Sequence, residues 1–118
     1  MIAHVVLFRP RQDLPADSRR GLASSFEAAL TRIPSIRRAR VGRRIRVGRP
    51  YEQAMRVDYT YAAVIEFDDR EGLKAYLEHP AHVQLATEFF SAFEEALMYD
   101  FELEDGTAGL KALLPDTE

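Results

Sequence analysis

A chain of 118 residues and 13.5 kDa has room for one compact domain and not two. Apolar residues at 47% and charged residues at 30% exclude collagen-like, disordered and membrane-spanning chains, and the apolar run at 2–8 is too short and too lightly flanked for a secretory signal. The absence of cysteine removes disulfides, thiol nucleophiles and thiolate metal sites, and the expectation is a cytoplasmic protein.

Residues 2–9 alternate as a strand, with Ile2, His4, Val6 and Phe8 on one face and Ala3, Val5 and Leu7 on the other. Both faces are largely apolar, which predicts cover on both sides. After Pro10, Asp17 or Ser18 caps a helix whose stripe is Leu22, Phe26, Ala29/Leu30 and Ile33, and Ile33-Pro34 closes it. Residues 36–47 return to period two, with Ala39, Val41, Ile45 and Val47 opposite Arg38, Arg40, Arg44 and Arg46, and with Gly42 as the expected bulge. Residues 48–58 read as a loop with turn chemistry at Gly48 and Pro50. Tyr59 to Phe67 is a third strand, again apolar on both faces.

Asp68-Asp69 cap a helix through Leu77, with Leu73, Tyr76 and Leu77 inward. His79-Pro80 breaks it and opens another helix with Pro80 in its first turn. There His82, Leu85/Ala86, Phe89 and Phe93 form one stripe, and Phe89, Phe90 and Phe93 are expected in the core. Residues 96–104 form the last strand, and 105–118 a weakly ordered tail or an appended turn of helix. The chain thus divides into a domain at 1–104 and a tail at 105–118.

Charge is distributed unevenly along this order. Residues 1–56 carry 13 arginines against four acids, a balance of +9, and residues 57–118 carry three cations against 15 acids, a balance of −12. Ala28 to Tyr51 holds eight arginines and no acid. Such a stretch steers anionic ligands or faces the acidic half of the same chain or of a second subunit. No nucleic-acid module accompanies it, so nucleic acid is not expected as a partner, and neither is a membrane.

The element order is the βαββαβ of ferredoxin-like α+β domains, a four-stranded antiparallel sheet with helices on one face. Helices cover one face only, yet strands one, three and four are apolar on both. A second copy is the simplest cover, so a homodimer is expected.

Chemistry concentrates in the run Tyr76-Leu77-Glu78-His79-Pro80-Ala81-His82. His82 lies in the first turn of a helix, where partial positive charge disfavours imidazolium and leaves a neutral base. His4 looks into the same space if its strand face meets the helices. A buried carboxylate at Asp100 would need a donor, which an imidazole N–H supplies. Tyr76 brings a hydroxyl to that neighbourhood. His79 reads as structural.

His4-Val5-Val6-Leu7-Phe8, Ile33-Pro34, Val41-Gly42, the Tyr76–His82 run and Asp100-Phe101 occur in the order and spacing of the stress-responsive A/B barrel domain (Dabb) family, which residues 2–104 resemble. The resemblance implies a dimeric α+β barrel. Within that family the run is similar to that of polyketide cyclases of the olivetolic acid cyclase type, which close a linear polyketide by aldol condensation without a cofactor. It therefore implies Tyr76 and His82 as a catalytic pair, with Asp100 holding the His82 ring and His4 facing the substrate. It also implies a small hydrophobic or polyketide-like ligand in a pocket lined by Val6, Phe8, Leu22, Phe26, Tyr61, Ala63, Leu77, Leu85 and Met98. Tyr61 and Phe26 stand where such a cyclase has histidine and tyrosine, so substrate polarity differs. No metal or redox cofactor is required. The competing expectation is a non-catalytic dimer that binds a small hydrophobic ligand or serves in a stress response.

Overall fold

The structure is a computed structural model that describes residues 1–115. Its elements are β1 (Ile2–Pro10), α1 (Ala16–Arg32), β2 (Ile36–Arg43), α2 (Pro50–Ala54), β3 (Tyr61–Phe67), α3 (Arg70–Glu78), α4 (Pro80–Ala92) and β4 (Phe93–Glu102), followed by a 3-10 helix at Ala108–Leu113. All strand pairs are antiparallel, in the order β2-β3-β1-β4. This is the ferredoxin-like α+β arrangement that the strand and helix periods predict. Among the described residues no helix is long and apolar enough to cross a membrane.

Register sorts the side chains. His4 stands opposite Ile65 and Asp100, Val6 opposite Ala63 and Met98, and Phe8 opposite Tyr61 and Ala96. These alternate residues form the face that α1, α3 and α4 cover, and Ile2, His4, Val6 and Phe8 are all buried there. The same helices enclose a core of Leu22, Ala29, Ile65, Phe67, Tyr76 and Leu85. Residues of the other parity, Val5, Leu7, Ala62, Val64, Leu97, Tyr99 and Phe101, form a second apolar face that no element among the described residues covers.

Several boundaries differ from expectation for local reasons. α1 starts at Ala16 with Pro15 in the capping position, and Asp17 sits in the first turn paired to Arg20 at 2.7 Å instead of capping. β2 stops at Arg43, not Val47, because the Glu52 carboxylate accepts from the backbone N–H groups of Val47, Gly48 and Arg49 and bends that segment back. Those hydrogen bonds, first that from Val47, hold its carboxyl below the usual value despite some desolvation. The expected 48–58 loop contains α2, started by Pro50 at a first-turn position. The β2 irregularity falls between Ile36 and Arg38, and Gly42 pairs regularly with Ala62. There Arg37 is the extra residue, tied to Asp68 at 3.1 Å.

Candidate active site

The junction of α3 and α4 is built by its own sequence. Asp69 caps α3 by accepting from the Gly72 N–H at 2.8 Å. Ten residues later His79 ends α3 and caps α4, its Nδ1 accepting from the Ala81 N–H at 3.0 Å, and Pro80 fills a first-turn position where no N–H is needed. His79 is thereby occupied as a cap. The turn brings Tyr76, at the end of α3, beside His82, in the first turn of α4, with ring centroids 4.6 Å apart.

His4 lies across from this pair on β1, its ring centroid 5.8 Å from that of Tyr76. A phenol thus stands between two imidazoles. All three line a cavity of about 110 Å³ whose other walls are apolar, among them Val6, Ile65, Leu85 and Phe89. Burial governs the charge states. Desolvation pushes the Tyr76 phenol up to about 12, so it remains a hydrogen-bond donor at neutral pH. Desolvation is also the largest cause holding His82 below its usual value, opposed by its hydrogen bond to Leu77 and aided by His4. His82 is therefore neutral at pH 7, as its helix-start position suggests, with burial as the main reason.

Hydrogen bonding fixes the tautomers. His82 Nδ1 lies 3.1 Å from the Leu77 carbonyl oxygen, which can only accept, so Nδ1 carries the proton and the neutral ring keeps its lone pair on Nε2. His4 Nδ1 lies 2.6 Å from Asp100 Oδ1. A carboxylate likewise accepts, so the Nδ1–H of His4 is committed to Asp100.

Asp100 therefore holds His4 and not His82, a correction to the sequence reading. Antiparallel register is the cause: His4 and Asp100 are direct cross-strand partners, the closest side-chain relation a sheet offers. The His82 ring, coming from a helix, turns instead to the backbone at the end of α3. The Asp100 side chain is 47% exposed, so the carboxylate keeps much of its hydration on the edge strand.

The pocket lining is corrected as well. Val6, Phe26, Leu77, Leu85 and Met98 line the cavity, whereas Phe8, Leu22, Tyr61 and Ala63 do not. Phe26 of α1 stacks on Phe8 with centroids 5.6 Å apart and closes that end. Beyond it, Phe8, Leu22 and Tyr61 line a separate crevice of about 490 Å³ that shares Phe26 with the cavity. Ala63 is fully buried and too short to reach either. Ile65, Ala86 and Phe89 are walls that the sequence reading missed, although the helical stripe already contained the last two. Phe90, expected in the core, is an exposed lip residue of the cavity.

Comparison with known proteins agrees with this architecture. The family model described as Stress responsive A/B Barrel Domain matches residues 2–103. The Stress-response A/B barrel domain-containing protein HS1 of Arabidopsis thaliana is 34% identical over 44 residues, 37% of this chain and 40% of that relative's length. The match thus spans well under half of that relative. Hydroxynitrile lyase from Passiflora edulis superposes with a TM-score of 0.74 at 16% identity, covering 89% of this chain and 94% of its own. A dimeric protein of unknown function and ferredoxin-like fold from Bacteroides fragilis superposes with a TM-score of 0.61 at 27% identity, covering 86% and 95%.

Proposed function

The chain belongs to the stress responsive A/B barrel domain family, and from that premise we propose that it is a cofactor-independent acid–base enzyme acting on a small apolar carbonyl compound. The substrate class we favour is a poly-β-keto chain, closed by aldol condensation. The observation that carries this reading is a buried phenol flanked by two imidazoles, each with Nδ1 engaged, all facing one apolar cavity.

Each residue has a chemical role in it. His82, neutral at pH 7, takes the acidic proton between two carbonyls onto Nε2. Tyr76, protonated at that pH, donates to the developing enolate oxygen. The enolate carbon attacks a second carbonyl, and the resulting alkoxide takes the proton back from His82, so no net charge or electron is left over. His4, oriented by Asp100, places a second imidazole on the other side of the phenol. A cavity of about 110 Å³ is well below the ~300–1,000 Å³ of sites that enclose whole ligands. It holds the reacting end, and the remaining chain extends out of the cavity past its exposed lip residue Phe90.

The uncovered apolar face supports a homodimer with the two sheets stacked. A dimeric relative of the same fold is consistent with that reading.

Turnover of a poly-β-keto thioester tests the proposal. His82→Ala and Tyr76→Phe are expected to keep ligand binding while product formation falls by about 10²–10⁴-fold for the base. Binding without turnover by the unaltered chain, across such thioesters and simple β-dicarbonyls, favours a ligand-binding dimer instead.

A further inference from the structure

Two exposed features fit one another and not their own surroundings. The first is the tail. Every residue from 101 to 115 is exposed. Leu110 and Leu113 on a short 3-10 helix, and Leu114 at its C-cap, stand in solvent, the latter two at 79% and 68% exposure. Just before them come Glu102, Glu104 and Asp105. The chain is flat and extended, with a radius of gyration of 16.4 Å against about 13–14 Å for a compact domain of this length.

The second feature is a crevice of about 970 Å³ on the uncovered sheet face. Leu7 and Ala62 belong to that face, Met55 and Val57 add further apolar lining, and Arg43 and Arg56 complete the charged part of the wall. Its frame is built: Arg44 ties β2 to the approach to β3 through Asp58 at 2.6 Å, and Glu52 anchors the segment at 47–49. Among the described residues, Arg43 and Arg56 have no carboxylate within ion-pair distance. An acidic stretch followed by leucines is the complement of arginines beside an apolar floor.

The two features lie at opposite corners of one sheet face. The tail leaves where Ile2 pairs with Glu102 on the β4 side, and the crevice sits at the other end of β1, on the β2 side. Two such faces stacked with crossed strands about a two-fold axis can exchange opposite corners. We propose that residues 104–114 of each copy dock in the crevice of a second copy, forming two identical clasps. The inference rests on the homodimer read above. It goes beyond the shared family domain, whose match ends at residue 103.

The absence of native cysteine makes the test direct. Met55→Cys and Leu113→Cys chains, mixed and mildly oxidised, are expected to give a disulfide-linked species of doubled mass. A mixture of Leu113→Cys with Val83→Cys, exposed on α4, is expected to give none. Arg43→Glu with Arg56→Glu lowers the cross-link yield by roughly tenfold, and adding Glu104→Arg with Asp105→Arg restores it. A chain that sediments as a dimer yet cross-links no better than the Val83 control overturns the clasp and leaves the dimer standing. So does an intrachain disulfide in a chain carrying both cysteines. Sedimentation as a monomer before oxidation overturns the dimer and the clasp together.

Discussion

The two faces of one sheet are made from the same strands and have opposite fates. On the helix-covered face, His4, Tyr76 and His82 are taken out of water, and desolvation raises the phenol and lowers the His82 imidazole. On the other face the apolar side chains of β1, β3 and β4 remain uncovered beside the arginines of β2. Burial makes chemistry available on the first face, and exposure makes association available on the second. The comparison predicts that substitutions on one face alter reactivity or folding, and those on the other alter assembly.

The largest effect belongs to the covered face. Phe67 is fully buried against Tyr76, with centroids 5.3 Å apart, so Phe67→Ala is expected to cost about 3–5 kcal/mol in denaturant unfolding. A cost under about 1 kcal/mol would mean that this face is not packed as described. On the uncovered face, Tyr99→Lys places a charge in the apolar patch. Sedimentation should show dissociation to monomer, and monomer stability should change by no more than about 0.5 kcal/mol. A variant that stays dimeric and fully active would break the division between the faces.

Asp100→Asn sharpens the comparison at the sheet edge. The amide oxygen still accepts from His4 Nδ1, but without its charge, a difference of about 1–1.5 kcal/mol that corresponds to a roughly tenfold loss of activity. The acid limb of the pH–rate profile, set by His82, is expected to stay in place. A moved limb would return Asp100 to His82.

The period-two and helical patterns made the element order legible, because apolar parity records which strands are apolar on one face and which on both. The Tyr76–His82 run was legible too: His79-Pro80 can hardly do other than end one helix and start the next. The partner of Asp100 was not. It depends on the register of β1 against β4, strands from opposite ends of the chain with no hairpin between them to set it. The extent of the cavity was hidden for a similar reason. Parity put Phe8, Tyr61 and Phe26 on the inner face, but only packing shows that Phe26 stacks on Phe8 and divides the space. α2 escaped notice because five residues are too few to show a helical period.

Folding favours neutral His82, so protein stability from this group is lost as pH falls from about 6.5 to the lower folded value, and the base itself is lost as pH passes that lower value. Nitrogen-15 NMR of the histidine rings across this range reads that directly. The account predicts that His82 titrates below 6.5 and that its neutral form carries the proton on Nδ1. A His82 ring that titrates at or above 6.5, or that carries its neutral proton on Nε2, would contradict a desolvated base in this cavity.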